Sequence, residues 1–311
     1  MPSREQKSLN MSTIFGPVQS RRFGVSLGID LSASTKQCNF DCLYCELAPA
    51  KKISVLDSFV EPEIIAKEVE EGVAKNPDID FITITANGEP TLYPKLYELA
   101  NLIRGFKGDK KLLILSNGST INDAKIVETL KLFDVVKLSL DSALTESFKK
   151  VDRAGNISVL ELIDGMAAFR GGYGGTFVLE TLFVKNVNDS DKDIEALNGA
   201  YLKIRPDRID IGSIDRPPAY RVEGIDERRL KEIRERLDPS LMVSIALRKS
   251  SDSKKRAFSK DEILYSLKNR PFTSFDIESL FDDGSKEIFK RLLDNGEISQ
   301  KTVAGTIFYL R

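Results

Sequence analysis

Runs of apolar, largely β-branched residues alternate along the chain with stretches in which apolar residues recur at helical spacing. The runs predict strands over residues 26–32, 79–85, 111–118, 134–141, 175–184, 207–214 and 241–247. The stretches between them predict helices over residues 61–75, 93–106, 121–133, 157–171, 190–204 and 226–237, the third capped by Asn122. This alternation predicts an α/β fold in which helices cover a parallel sheet. Six strand–helix units predict a partial (β/α)6 barrel of the TIM type over residues 1–247.

The rhythm changes after residue 247. Residues 248–256, "RKSSDSKKR", are polar and basic, as is typical of a linker. Three short helices over 259–270, 274–281 and 284–296, followed by a β-hairpin with its turn near Gly305, come next. We interpret residues 257–311 as a small winged-helix-like domain.

Composition excludes several classes of protein. The net charge of −1 over 311 residues predicts no strong overall attraction to nucleic acid or acidic membranes, although a local basic patch stays open. The N-terminal residues "MPSREQKSLN" lack an apolar signal core, and no apolar run is long enough to span a membrane. We therefore expect a cytoplasmic location without a membrane partner. Because the chain has no histidine, it cannot carry a Ser-His-Asp triad, a Cys-His pair or an HExxH zinc site.

The three cysteines of the chain all lie in one short segment, "QCNFDCLYCELAP". Cys38, Cys42 and Cys45 are too crowded, and too few, to join distant segments as disulfides. A structural zinc ion takes four protein ligands, whereas a [4Fe–4S] cluster held by three cysteines keeps one iron open to another ligand. The segment follows the first predicted strand, so it should lie where ligands collect in such barrels. A structural zinc protein remains the alternative.

The spacing Cys-x3-Cys-x2-Cys, with Tyr44 just before the last cysteine, resembles the signature of the radical S-adenosylmethionine (radical SAM) superfamily. The resemblance implies a [4Fe–4S] cluster and SAM as cofactors, with SAM bound to the open iron through its amino and carboxylate groups. An electron from the reduced cluster then cleaves SAM to methionine and a 5′-deoxyadenosyl radical, which abstracts hydrogen from a substrate. It also implies an external one-electron donor of the flavodoxin or ferredoxin type.

Other strand ends extend the resemblance. The segment "NGEPTLYP" after the second strand resembles the family's Gly-Glu-Pro segment. In related proteins that segment contacts the SAM amino group. Short polar residues at the third and fourth strand ends suit the SAM ribose and carboxylate. The residues expected around SAM are the Tyr44 backbone, Asn87, Gly88, Glu89, Pro90, Ser116, Asn117, Ser139 and Asp141. A purely structural role, in which these residues cap helices and form turns, is the alternative.

The N-terminal segment "GPVQSRRFGVSLGID" narrows the resemblance to the subgroup of the wybutosine-synthesis enzymes, which modify tRNA, over about residues 14–247. Those enzymes carry a second cysteine-ligated cluster, and this chain has no cysteine left for one. Their particular reaction is therefore not expected here. Weaker candidates are Arg21 and Arg22, for an anionic group or a structural ion pair, and Lys137, Glu180 and Asn186 inside or above the barrel.

Taken together, the sequence predicts a radical SAM enzyme acting on a macromolecule, with RNA the preferred class. The alternative is an iron–sulfur sensor that binds DNA through the winged helix without SAM chemistry. Residues 257–311 contain eight Lys or Arg and nine Asp or Glu, which argues against a DNA reader because phosphate contacts need a basic face.

Overall fold

The computed structural model describes residues 13–20, 22–32, 36–56, 58–214, 216–245, 255, 257–269, 271–303 and 306–311. The predicted linker, apart from Lys255, and the predicted hairpin turn at Gly305 lie outside these ranges. Within them, the chain forms one eight-stranded sheet and one three-stranded sheet.

The elements of the first part of the chain follow the predicted order. The strands are Ile14–Ser20 (β1), Gly24–Asp30 (β2), Phe81–Thr85 (β3), Lys111–Ser116 (β4), Val135–Ser139 (β5), Thr176–Phe183 (β6), Arg208–Ser213 (β7) and Val243–Ile245 (β8). The helices are Pro62–Lys75 (α1), Leu96–Phe106 (α2), Ala124–Leu130 (α3), Thr145–Val151 (α4), Val159–Gly172 (α5), Asp191–Ile204 (α6) and Glu227–Arg236 (α7).

The large sheet has the strand order β1-β2-β3-β4-β5-β6-β7-β8, and every neighbouring pair from β2 to β8 is parallel. Six strand–helix units followed by a last short strand therefore form the predicted partial barrel. Because the strands are parallel, the loops after β2, β3, β4 and β5 all lie at the same end of the barrel.

Strand β1 was not predicted. It pairs antiparallel with β2, and its register is interrupted between Phe15 and Val18, at the Gly16-Pro17 pair. In the sequence this pair has the appearance of a turn. An edge strand tolerates proline at an irregularity because no ladder hydrogen bond is needed there.

Alternation along each strand separates two layers of side chains. On β5, Val136 and Leu138 pack into the main core between sheet and helices. Val135, on the opposite face, joins Phe23 and Val178 in a separate cluster inside the barrel. Lys137, which the sequence alone left as either a barrel-interior residue or an ordinary exposed lysine, lies on this inner face as well and is buried.

Helices α2 and α3 each begin three residues later than predicted, and α4 was not predicted. Helix α3 begins after Asp123, whose side chain accepts a hydrogen bond from the Lys125 N–H, so Asp123 and not Asn122 is the cap. Asn122 instead donates to the Glu161 carbonyl at 3.2 Å. Helix α4 was not predicted, because the segment between Asp141 and Ile157 is short and has few apolar positions.

The C-terminal part folds around its own apolar cluster. It contains Lys260–Asn269 (α8), Phe272–Thr273 (β9), Ser274–Leu280 (α9), Asp283–Asp294 (α10), Ser299–Val303 (β10) and Thr306–Leu310 (β11). The three strands form an antiparallel sheet in the order β10-β11-β9. Three helices beside a small sheet fit an extra domain, and the winged-helix assignment stays a prediction.

None of the helices in the described part of the chain is both long enough and apolar enough to cross a membrane.

The ring of Phe281 is the centre of the C-terminal cluster. It is fully buried and contacts the rings of Phe258, Phe272 and Phe289 at centroid distances of 4.7, 5.7 and 5.9 Å.

We expect Phe281→Ala to destabilise this part of the chain by about 3–5 kcal/mol, because the cavity left cannot collapse fully. Hydrogen exchange should show faster exchange in α8–β11 and unchanged exchange in β2–β7. The matched control Ile307→Ala removes a side chain that is already 40% exposed, so it should have little effect. Faster hydrogen exchange throughout the barrel in Phe281→Ala would contradict the conclusion that the barrel and the C-terminal part have separate apolar cores.

Candidate functional site

The cysteine loop lies at the C-terminal end of β2 and is joined to the turn after β3 by main-chain hydrogen bonds. The Gln37 N–H donates to the Asn87 carbonyl at 2.8 Å, and the Glu89 N–H donates to the Gln37 carbonyl at 2.9 Å. Gln37 and Gly88 form an isolated parallel bridge. The two segments predicted to hold the cluster and SAM therefore lie directly beside each other.

Gly88 is required by this close approach. Its φ is +152°, and a Cβ built on it would lie 1.7 Å from the Gln37 carbonyl oxygen. No real Cβ occupies such a position, so any side chain here must push the cysteine loop away from the turn.

The Glu89 carboxylate is buried, at 1% exposure, and ties the ends of β3 and β4 together. Its Oε1 accepts from the Thr91 N–H, the Thr91 hydroxyl and the Ser116 hydroxyl at 2.7–2.9 Å, and its Oε2 accepts from the Asn117 N–H at 2.7 Å. Burial raises the pKa of Glu89, whereas the hydrogen bonds from Asn117 and Thr91 lower it. The capping alternative thus describes an observed role, and a contact with the SAM amino group stays a prediction.

Asn117 links this network to the cysteines. Its side-chain amide donates to Asn39 Oδ1 at 2.9 Å and lies 3.7 Å from Cys38 Sγ. Asn39 in turn donates to the Ser119 hydroxyl at 2.7 Å. The sequence did not single out Asn39, because an asparagine between two cysteines has no distinctive spacing of its own.

The three cysteines are half-buried, and carboxylates lie near Cys38 and Cys42. Burial, with the Glu89 carboxylate second, raises the pKa of Cys38 to about 11. Burial, with the Asp152 carboxylate second, raises the pKa of Cys42 well above its usual value. Cys42 Sγ lies 3.5 Å from Asp152 Oδ1. A bound cation would favour the thiolate forms of Cys38 and Cys42, which fits a metal-ligating role.

Among the described residues, no group of three or more Cys, Asp or Glu side chains is placed to hold a single metal ion. A structural zinc site takes four protein ligands, whereas a [4Fe–4S] cluster accepts three thiolates, each on a different iron. The chain offers three cysteines and no histidine, so its donor set fits a cluster better than the zinc alternative.

Tyr44 and Asp141 meet beneath the loop. The Tyr44 hydroxyl donates to Asp141 Oδ2 at 2.6 Å, and the Leu182 N–H donates to Asp141 Oδ1 at 2.6 Å. Burial raises the pKa of Asp141 to about 6, against these hydrogen bonds, which lower it. Asp141 therefore anchors the tyrosine side chain, an interaction that the prediction of a Tyr44 backbone contact did not foresee.

Residues after β7 lie over the cysteine loop. The Ala219 N–H donates to the Cys45 carbonyl at 2.8 Å, and the Tyr220 hydroxyl donates to Asp41 Oδ2 at 2.5 Å. Arg216 forms an ion pair with Glu46. Nothing in the sequence pattern indicated this cover, because the two segments are separated by more than 160 residues.

Five charged side chains form a network inside the barrel. Lys137 Nζ lies 2.8 Å from Glu180 and 3.4 Å from Asp210, and Arg22 pairs with the same two carboxylates at 2.8 and 3.4 Å. Arg208 contacts Asp210 through two nitrogens at 2.8 and 3.1 Å. The structural ion pair foreseen as one role of Arg22 is thus present, and Arg21 lies outside the described residues.

The remaining predicted residues have mixed surroundings. Asn87 binds Asp30 through its N–H and its side-chain amide at 2.8 and 2.6 Å. Pro90 begins a short 3-10 helix, and Ser139 ends β5 beside Glu180. Asn186 is exposed in a left-handed turn, and its N–H bonds to Asp189, so the described contacts do not bring it to the cysteine loop.

Comparison with known families and sequences agrees with the resemblance carried by the cysteine loop. The model of the radical SAM superfamily matches residues 33–197, just over half of the chain. A UPF0026 protein of Helicobacter pylori is 37% identical over 302 residues, which are 96% of this chain and 98% of that protein.

Solved structures share the fold. The structure of TYW1 with a lysine-pyruvate adduct bound has a TM-score of 0.51 and 17% identity, covering 70% of this chain and 74% of that one. Streptococcus suis SuiB bound to S-adenosylmethionine has a TM-score of 0.53 and 19% identity, covering 70% of this chain and 51% of that one. The predicted partial barrel is therefore confirmed.

The contact at Gly88 gives a direct test of the site's architecture. We expect Gly88→Ala to lower the free energy of unfolding by about 3 kcal/mol or more, because the new methyl group displaces Gln37 or twists the turn. Chemical denaturation measures the change. Gly105→Ala is the matched control: it lies in α2 with no atom within 4 Å of the new methyl group. It should stabilise the chain by up to about 1 kcal/mol, as alanine does in helices. Equal stabilities of the two variants would show that the loop and the turn are not in contact.

Proposed function

We propose that this chain, which belongs to the radical SAM superfamily, cleaves S-adenosylmethionine reductively at a [4Fe–4S] cluster held by Cys38, Cys42 and Cys45. The observation that carries the proposal is the joining of the cysteine loop to the Gly88-Glu89 turn through Gln37. The family model covers both segments and the ends of β4 and β5. The prediction of a radical SAM enzyme is confirmed at the level of the superfamily.

Different residues of the chain are assigned to the cluster and to SAM. Cys38, Cys42 and Cys45 would hold three irons of the cluster, which would pass one electron from an external donor to the SAM sulfonium, giving methionine and a 5′-deoxyadenosyl radical. Glu89 fixes the turn through its four hydrogen bonds, so that the carbonyls of the turn are held ready for the SAM ammonium group.

Other groups are assigned to SAM by their place at the strand ends. Asn117 follows β4 and Ser139 ends the neighbouring strand β5, and both offer short polar side chains to the ribose and carboxylate. The segment with Ala219 and Tyr220 is hydrogen-bonded to the loop and would help to exclude water from a reactive radical there. Asn87, Ser116 and Asp141 complete the polar groups assigned to SAM, and each of them, like Asn117, also makes a hydrogen bond to a neighbouring residue.

The surroundings of the loop support a polyanionic partner. Lys51, Lys52, Lys149, Lys150 and Arg153 are all exposed, in a chain whose net charge is −1. They are brought together because the Leu43 N–H bonds to the Val151 carbonyl and Lys52 Nζ bonds to the Arg153 carbonyl. We assign this basic face to RNA as the substrate class, in a cytoplasmic enzyme. Such a face also attracts an acidic electron donor of the flavodoxin or ferredoxin type.

The cofactor assignment is tested by anaerobic reconstitution. We expect about four irons and four sulfides per chain, and release of 5′-deoxyadenosine from SAM with dithionite as reductant. Cys45→Ser should lose both, because a serine hydroxyl is a poor iron ligand of similar size. Met242→Leu, which changes an exposed side chain far from the loop in sequence, should retain both. One zinc per chain, or a complete cluster that never cleaves SAM, would refute the proposal.

The substrate class is tested in cells. We expect nucleoside mass spectrometry of tRNA and rRNA to show one modified nucleoside that disappears when this protein is absent. The wild-type chain should restore it, and Cys45→Ser should not. A variant with Lys149→Gln and Lys150→Gln should restore it only in part if the basic face binds RNA, whereas Lys75→Gln, an exposed lysine on α1, should restore it fully. Identical nucleosides with and without the protein would direct the search to another macromolecule.

A further inference from the structure

The N-terminal ends of the barrel strands enclose a cavity of about 470 Å³. It is lined by Arg22 and Phe23 before β2 and by the first residues of β3, β4, β6 and β7. The cysteine loop lies at the opposite, C-terminal ends. In barrels of this type the N-terminal end normally serves stability. The proposed function makes no use of this cavity.

Cationic side chains dominate the wall of the cavity. Arg22, Lys110, Lys111 and Arg208 line it. Its carboxylates are Asp80, which accepts a hydrogen bond from the Val25 N–H at 2.8 Å, and Asp109. The Asp109 side chain is 87% exposed and pairs with Lys110 at 3.2 Å, so these two charges offset each other.

The ion network behind the wall has more cations than carboxylates. Arg22, Lys137 and Arg208 share Glu180 and Asp210, which leaves one positive charge in excess. The Arg22 Nε atom is buried and lies 3.4 Å from Asp210 Oδ2, but it makes no hydrogen bond in the described part of the chain. Arg208 uses Nε and Nη2 on Asp210, which leaves its Nη1 for another acceptor. A buried excess charge and a buried donor without a hydrogen bond both cost free energy unless an anion or a water molecule pairs with them.

Two of the cations are held by aromatic rings. The Arg208 guanidinium lies 4.9 Å from the centroid of Phe23, and Lys111 Nζ lies 6.0 Å from the centroid of Phe81. The two rings contact each other edge to face at 5.5 Å. Within the described residues Lys111 has no carboxylate partner. A ring attracts a cation without neutralising it, so the charge of Lys111 remains available to a ligand.

From this arrangement we propose that the cavity binds a small anion through phosphate-type or carboxylate oxygens. Arg208 and Lys111 supply the direct contacts, and the surplus charge shared by Arg22 and Lys137 favours the anion from behind. A guanidinium fork with a free nitrogen beside a lysine is suited to an anion with two or more oxygens. The inference does not rest on the proposed function, because the cavity and the cysteine loop lie at opposite ends of the strands.

The full chain is tested by calorimetry at low ionic strength with three probes: inorganic phosphate, pyrophosphate and citrate. We expect saturable binding of one anion per chain, and the strongest probe distinguishes phosphate from carboxylate chemistry. Lys111→Gln and Arg208→Gln should each weaken binding by about tenfold, the effect of removing one charge-assisted contact. Lys75→Gln, an exposed lysine outside the cavity, should bind as the wild type does.

Three results of these titrations would contradict the proposal. Absence of saturable binding for all three probes means that the cavity holds only water. Unchanged affinity in Lys111→Gln places any bound anion elsewhere, and this variant alters an exposed side chain, so it keeps the test valid if Arg208→Gln does not fold. Displacement of the anion by SAM would put it at the cysteine loop and overturn the assignment.

Discussion

The candidate site depends on the contact between the backbone of Gln37 and the backbone of residues 87–89. Two hydrogen bonds join them, and the space between them excludes even one methyl group. This contact fixes the cysteine loop, which has little regular structure of its own, to the rigid end of β3. The Glu89 carboxylate then fixes the turn to the end of β4. A loop held in this way is preorganised, so little ordering cost remains when a cluster and SAM bind.

The barrel separates two ends of different chemistry. At the cluster end, buried carboxylates such as Asp141 and Asp152 lie beside the thiols. At the other end, arginines and lysines exceed the carboxylates. The Lys137–Glu180–Asp210 network lies between them on the inner face of β5, β6 and β7. Because an ion pair removed from water is costly, such a network is retained for positioning more than for stability.

The elements that could be predicted from the sequence are those with a distinctive local pattern of residue types. The strands with β-branched cores and the helices with wide apolar faces were predicted at close to their observed positions, and the cysteine spacing indicated the superfamily that the family model confirms. Features whose conformation is set by tertiary contacts were not predicted. Gly16-Pro17 has the pattern of a turn but lies within an edge strand. Asp123 and not Asn122 caps α3, a choice between neighbours that propensity cannot make. The cover by Ala219 and Tyr220 joins distant segments and leaves no local pattern.

The acidic surroundings of the cysteines themselves argue for a metal. Glu89 lies near Cys38, and Asp152 touches Cys42, so each thiol faces a group that opposes its ionisation. While it is protonated, the Cys42 thiol donates to Asp152 Oδ1 at 3.5 Å, and burial beside the carboxylates disfavours the thiolate form. Iron reverses the balance, because its positive charge favours both the thiolates and the nearby carboxylates. Three thiolates without a fourth protein ligand of the same kind then favour a cluster with several iron atoms over a structural zinc ion, which takes four protein ligands.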